Sequence, residues 1–403
     1  MGTEHLSLLI KPASSLCNLR CKYCFYHDLA DNRNIKSYGI MQNDVVDILV
    51  ANAVNETKKS ISFMFQGGEP TLAGLDYFRY FIDCVKKTIK KSGRKIQVNY
   101  SIQTNGININ EEFAKFFKEN NFLVGLSLDG TKETNDFFRV DANNNGTHGR
   151  IIKTAGLFDK FKVDYNILTV ITNQTAKHIE KIYNYYKKTG FMYLQFIPCL
   201  EPLVGRDAPG APSSPTNENR ISGASGMPRP TLCYLTPELY EKFLINLFRL
   251  WHNDFMDNNY VSIRFFDNLV RIFAGYPSEQ CGTTGFCSGQ FVIESDGSVF
   301  PCDFYCVDNW KIGNVCDMSF EKLYESPNMQ KFRETSLYAD YSETEREKCE
   351  SCKVYYLCRG GCRRDRDNKI NGHAKNNIYC EALYNFYCFA EPYLKDIVNR
   401  GVV

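Results

Sequence analysis

Three cysteines on one short loop constrain this chain more than any other feature. They stand in Lys11-Pro-Ala-Ser-Ser-Leu-Cys17-Asn-Leu-Arg-Cys21-Lys-Tyr-Cys24-Phe25-Tyr26, with three residues between the first two and two between the last two. The apolar run Leu6 to Ile10 reads as a strand that delivers the chain into the loop. Thiolates at Cys17, Cys21 and Cys24 can hold three corners of a cubane iron–sulfur cluster. The fourth iron then has no protein ligand and is open to a small molecule. Electron-transfer clusters usually have four protein ligands, so an open iron points to chemistry at the metal. The competing reading is a zinc loop, or thiols without a redox role.

Composition narrows the setting. At 403 residues the chain is long enough for one large domain and a smaller one. A hydrophobic content of 43% with 23% charged residues is ordinary for a globular protein. The net charge of +2 gives no electrostatic reason to expect nucleic acid or an anionic membrane as a partner. No signal peptide or membrane span is expected, because the N-terminus lacks a basic stretch ahead of an apolar core and no apolar run is long enough. The 17 cysteines are the outlier. Their number is odd and they fall in tight groups, which favours metal binding in a reducing cytoplasm over disulfides.

Past the cysteine loop, short apolar strands alternate with amphipathic helices. Strands are expected at Ser60–Gln66, Lys95–Gln103, Phe122–Leu128, Val163–Thr172 and Tyr193–Pro198, making six with the first. Helices such as Leu75–Lys91 and Ala176–Lys188 fall between them. Repeated βα units imply a parallel sheet, and six units fit a partial TIM-type barrel, (β/α)6, better than a full eight. Polar, glycine-bearing motifs sit at the strand ends: Gln66-Gly67-Gly68-Glu69-Pro70-Thr71, Gln103-Thr104-Asn105-Gly106, Ser127-Leu128-Asp129-Gly130 and Thr172-Asn173. In a βα barrel these ends share one face, where ligands bind. Any one motif could be a plain turn, but four on the rim that carries the cysteine loop argue for a site. Two glycines let backbone approach a ligand closely, and Glu69 with the nearby carbonyls can accept hydrogen bonds from an ammonium group.

The stretch 201–236 holds six prolines with many Ser, Gly and Asn and shows no regular period. A loop this long is usually a lid, a binding loop or a linker, and a cover over the substrate entrance is expected here. Thr236-Pro237-Glu238 then reads as the N-cap and first turn of a helix running to about Met256. The expected division is residues 1–236 for the barrel with its insert, and 237–403 for the helix and a small cysteine-rich domain. Within that domain, Gln290 to Cys302 reads as a β-hairpin turning at Asp296-Gly297. The run Arg363-Arg364-Asp365-Arg366-Asp367 reads as solvated surface.

The loop spacing, followed by the Phe25-Tyr26 pair, resembles the signature of radical S-adenosylmethionine (SAM) enzymes. There the open iron chelates SAM, whose reductive cleavage yields a 5′-deoxyadenosyl radical. The resemblance implies that Gly67, Gly68 and Glu69 bind the methionyl amine. It makes Ser127, Asp129 and Arg139 candidates for further SAM contacts, and Tyr26 a candidate to shield the cluster or meet the ligand. The spacing Cys349-x2-Cys352-x5-Cys358-x3-Cys362 resembles the SPASM auxiliary-cluster module. That resemblance implies one [4Fe-4S] cluster on Cys281, Cys287, Cys302 and Cys362, and another on Cys349, Cys352, Cys358 and Cys380. Cys306 and Cys316 compete in sequence with Cys302 for its place.

Asp303 follows Cys302 and is the candidate general base, since removing a proton and an electron from one substrate radical needs both sinks close together. The competing reading is that it caps a turn or pairs with an arginine such as Arg264. Leu8-Leu-Ile-Lys-Pro-Ala-Ser-Ser, Phe65-Gln-Gly-Gly-Glu-Pro-Thr-Leu-Ala-Gly, Glu294-Ser-Asp-Gly-Ser-Val and Pro301-Cys-Asp-Phe-Tyr together look like the anaerobic sulfatase-maturating enzymes. The resemblance implies oxidation of a Cys or Ser side chain in a sulfatase polypeptide to Cα-formylglycine. Gln66 and Gln103 would contact the peptide backbone, and an external one-electron donor such as flavodoxin or ferredoxin would feed the reaction. The alternative is another peptide-modifying radical SAM/SPASM enzyme that makes a thioether, a carbon crosslink or an epimer.

Overall fold

The computed structural model describes residues 3–200, 233, 235–335, 343–366 and 376–401. The chain divides into two compact units. The first comprises Met1–Leu128, Arg139–Tyr165 and Ser288–Arg333, and the second Asp129–Phe138, Asn166–Cys287 and Glu334–Val403.

In the first unit, strands β1 (Thr3–Ile10), β2 (Thr57–Phe65), β3 (Gln97–Thr104) and β4 (Phe122–Ser127) pair in parallel in that order. The expected strands are present with ends displaced by a few residues. Strand β2 stops at Phe65, so Gln66 begins the following turn, its N–H donating to the Ile10 carbonyl at 2.9 Å. Parallel strands joined by helices are covered on their faces, and the residues match this. Leu8, Ile10, Ile61, Phe63 and Phe65 are buried. Phe63 and Phe65 each meet Phe81 of the helix Leu75–Ser92 edge-on at 5.0 Å.

The hairpin expected at 290–302 forms from β8 (Phe291–Ile293) and β9 (Ser298–Phe300), with Gly297 in the left-handed region at φ +84°. Strand β8 pairs in parallel with β1, Leu8 opposite Phe291 and Ile10 opposite Ile293. A late piece of sequence therefore lies beside the strand that leads into the cysteine loop. The short β10 (Gly313–Asn314) pairs with β9.

The second unit holds most of β5 (Asp164–Ile171), with β6 (Tyr193–Pro198) and β7 (Ser262–Ile263) parallel to it in that order. The helix Pro237–Met256 starts as expected: the Thr236 hydroxyl accepts from Leu239 N–H at 3.3 Å and proline takes the first turn. Its buried face carries Phe243, Leu247 and Trp251, joined by Tyr240, Leu244 and Phe248. That face meets the helix Cys380–Asn399, with Phe248 edge-on to Phe386 at 5.8 Å. The expected cover, 201–236, lies outside the described residues apart from 233, 235 and 236. Among the described residues no helix is long and apolar enough to cross a membrane.

One expectation is overturned. Arg363, Arg364 and Arg366 are buried. Arg363 and Arg364 open a short 3₁₀ turn right after Cys362 that Arg366 caps, with Arg364 N–H donating to the Cys362 sulfur at 3.4 Å and Arg363 Nη1 to Thr335 Oγ1 at 2.8 Å. A run of alternating charges reads as surface, but the Arg366 guanidinium acts electrostatically on the Cys349 sulfur, which gives a buried positive charge a use.

Candidate active site

The cysteine loop leaves β1 through two tight turns, Ser14 N–H to Lys11 O at 3.1 Å and Leu16 N–H to Ala13 O at 2.9 Å. Cys24 is the N-cap of the helix Phe25–Asp31. The Cys17 sulfur accepts Leu19 N–H at 3.4 Å and Asn105 Nδ2 at 3.8 Å. Burial pushes the Cys17 thiol up to about 12, with further upward pressure from Glu69, Cys21 and Cys24. The three sulfurs are thus within electrostatic reach of one another, and two N–H donors stand ready for an anionic sulfur. That donor set fits a thiolate-ligated cluster, whose binding must displace the thiol protons.

The Gly67-Gly68-Glu69 turn packs directly on this loop. Gly68 N–H donates to Ser14 O at 2.9 Å and Glu69 N–H to Leu16 O at 2.7 Å. A Cβ on Gly68 would overlap the Leu16 carbonyl, and one on Gly67 would come within 2.9 Å of the Ser14 carbonyl. Both glycines serve the close approach of two backbone segments, and Gly67 also needs φ +114°. The Glu69 carboxylate turns inward. Oε1 accepts from Thr71 N–H (3.1 Å), Thr71 Oγ1 (2.6 Å) and Thr104 Oγ1 (2.8 Å), and Oε2 from Asn105 N–H (2.7 Å). It ties the ends of β2 and β3 together, which leaves backbone carbonyls as the acceptors this turn can offer a ligand's ammonium group.

Other rim residues of the first unit are similarly engaged. Gln103 Nε2 donates to Ser127 Oγ at 2.9 Å, its side chain lying over Gly125, where a Cβ would push that side chain aside. Arg139 is buried and donates to the Tyr23 hydroxyl at 2.9 Å. In the second unit Asp129 is fully buried, and its Oδ1 accepts Val170 N–H at 3.0 Å.

Asp303 begins the 3₁₀ turn Asp303–Tyr305 that follows the hairpin, with Cys302 as its N-cap. Its Oδ2 accepts the Tyr26 hydroxyl at 2.6 Å and Gln66 Nε2 at 3.4 Å, while Oδ1 lies 3.1 Å from Lys11 Nζ. Burial and the neighbouring Asp303 hold the Tyr26 phenol well above its usual range, so it stays a donor. The structure thus joins three sequence candidates, Tyr26, Gln66 and Asp303. Arg264 is engaged elsewhere, donating to Gln195 at 3.4 Å. Sequence reasoning assigned no role to Lys11, Arg33 or Glu294. Burial alone would lower the Lys11 pKa, yet Cys306, Asp303 and Glu294 hold it above its ordinary value. The available signal was a lysine ending an apolar strand, since buried lysines require partners.

Among the late cysteines of the second unit, two sets act on one another electrostatically. Cys358 is pushed up to about 12, first by burial and then by Cys380, Cys349 and Cys352. Burial also raises Cys362, and Cys287 and Cys281 act on it. Cys302 belongs to the first unit, as does Cys306, which is buried and donates to the Cys302 carbonyl at 3.6 Å.

Fold and thiol groups together define a radical SAM enzyme with an auxiliary iron–sulfur domain. The radical SAM superfamily profile matches residues 12–186, and that of the SPASM iron–sulfur cluster-binding domain matches 285–353. The cysteine-type anaerobic sulfatase-maturating enzyme of Clostridium novyi is 47% identical over 95% of both chains, and its Clostridium perfringens (strain 13) counterpart is 45% identical over 98% of this chain and 99% of its own. A solved structure of anSMEcpe with bound AdoMet and the Kp18Cys peptide superimposes with a TM-score of 0.86 at 43% identity, covering 98% of this chain and 99% of its own. The chain belongs to the anaerobic sulfatase-maturating enzymes. Its fold class is accordingly the α/β partial barrel with a SPASM domain.

Proposed function

We propose that this chain oxidises a cysteine in a sulfatase polypeptide to Cα-formylglycine. The observation that carries this reading is the Asp303 carboxylate, held by Tyr26 of the cysteine loop and by Gln66 of the β2 end. When bound, SAM and the clusters would supply a 5′-deoxyadenosyl radical to take a hydrogen atom from the substrate Cβ, and a sink for a second electron. Cys17, Cys21 and Cys24 would hold the SAM-binding cluster. Cys281, Cys287, Cys302 and Cys362 would hold one auxiliary cluster, and Cys349, Cys352, Cys358 and Cys380 the other, giving three [4Fe-4S] groups.

Carbonyls of Gly67 and Gly68 would accept from the SAM ammonium, with Glu69 bracing that turn. Tyr26, Ser127, Asp129 and Arg139 would line the rest of the cofactor site, and Gln66 and Gln103 would meet the peptide backbone. Asp303 would accept the substrate thiol proton. Loss of a hydrogen atom, a proton and an electron leaves a thioaldehyde on the peptide. Water then replaces the sulfur, releasing hydrogen sulfide and leaving the aldehyde.

A cysteine substrate is favoured by the relatives: the cysteine-type enzymes share 44–47% identity with this chain, whereas a serine-type enzyme of Bacteroides thetaiotaomicron shares 25%. The domain division at residue 236, a cytoplasmic setting and a flavodoxin- or ferredoxin-type donor complete the proposal. Asp303→Asn tests it. The variant should form 5′-deoxyadenosine at near the normal rate while formylglycine formation falls roughly 100- to 10,000-fold. Full peptide oxidation by this variant would remove Asp303 from its role.

A further inference from the structure

Lys11 is 2% exposed, a rare placement for an ammonium group. Two carboxylates face it, Asp303 Oδ1 at 3.1 Å and Glu294 Oε1 at 3.6 Å. Glu294 already has its own cation and donor: Arg33 Nη1 lies 2.6 Å from Oε1, and the Ser14 hydroxyl donates to Oε2 at 2.7 Å. Two cations and two carboxylates are buried together, and Lys11 also donates a hydrogen bond to the Cys306 sulfur; with Arg33 matched to Glu294, Asp303 is the carboxylate left to balance the Lys11 charge.

The geometry gives Lys11 little freedom. Its N–H donates to Ile293 O at 2.8 Å, and the Tyr26 ring lies 4.9 Å from its ammonium. Gly67 crosses so close that a Cβ there would stand 3.1 Å from the Lys11 Cβ. Asp303 Oδ1 accepts no hydrogen bond among the described residues, so the ion pair with Lys11 is what fixes that oxygen. Oδ2 has one short partner, Tyr26, and one long one, Gln66.

We infer that Lys11 is the positioning residue for Asp303: it grips Oδ1 and so turns Oδ2 toward the substrate, whose thiol displaces the long Gln66 contact. This rests on reading Asp303 as the base. An ammonium group gripping the carboxylate from behind fixes its rotation, which a hydrogen bond from Tyr26 alone does not. Misplacing a reacting group by about 1 Å can cost on the order of 100-fold in rate.

The test uses the cluster-loaded full chain and compares Lys11→Met, Lys11→Arg and Asp303→Asn, reading formylglycine formed per 5′-deoxyadenosine, together with peptide KM. Peptide affinity is also read directly, by fluorescence with a labelled cysteine peptide. Lys11→Met should cleave SAM normally, keep peptide affinity within about threefold and lose coupling by on the order of 10- to 100-fold, with Lys11→Arg recovering part of it. Unchanged coupling in Lys11→Met overturns the inference. So does joint loss of SAM cleavage and coupling, which would assign Lys11 to the scaffold of the loop. If Asp303→Asn uncouples the enzyme while Lys11→Met does not, the inference alone fails. If Asp303→Asn remains coupled, the reading beneath it fails.

Discussion

Gly68 shows how a close backbone approach can be read from sequence while the approaching group is not. A glycine pair at a strand end signals close backbone approach, and the sequence suggests a ligand as the approaching group. In the structure the approaching group at Gly68 is the Leu16 carbonyl of the cysteine loop. Gly68→Ala should therefore push the loop out of register, since neither backbone segment can yield cheaply. On the proposed loading of three [4Fe-4S] groups, iron content should fall by roughly a third, with loss of the SAM-perturbed EPR signal. Normal iron content and a normal EPR response would show that the loop tolerates the displacement. Glu69 was legible as an acceptor. Two of its four donors were not, because Thr104 and Asn105 reach it from the end of a different strand. Lys11 was missed for the same reason: both carboxylates that make its burial tolerable lie some 280 to 290 residues away in sequence.

At the scale of elements, the strands of the barrel were readable because parallel, doubly covered strands are continuous apolar runs bounded by turn residues. The hairpin at 290–302 was readable from its Asp-Gly turn. Its pairing with β1 was not, since no local pattern specifies a partner so distant in sequence. That pairing makes the site: it sets Glu294 and Asp303 against the strand end that carries Lys11. The Arg33–Glu294 pair fastens the hairpin to the helical segment after the cysteine loop, with both side chains at most 2% exposed. Removing one partner of such a pair leaves a buried charge uncompensated. Arg33→Met should thus lower stability by about 3 kcal/mol, measured by denaturant unfolding of the cluster-free chain. A loss under about 1 kcal/mol, typical of exposed pairs, would mean that water reaches the Glu294 carboxylate.

For the whole molecule, the sequence carries two independent thiol patterns, the early loop and the late cysteines, and among the late ones Cys380, Cys349 and Cys352 act on Cys358 while Cys287 and Cys281 act on Cys362. Likeness to the cysteine-type enzymes extends over nearly the full chain, which bears on substrate choice as well as fold. The most direct measurement is the mass of a sulfatase-motif cysteine peptide after anaerobic incubation with the cluster-loaded enzyme, SAM and a reductant. Exchange of the thiol for an aldehyde predicts a loss of about 18 Da, with one 5′-deoxyadenosine formed per product. A peptide returned unchanged while SAM is consumed, or one that has lost only two hydrogens and keeps its sulfur in water, would contradict formylglycine formation by this chain.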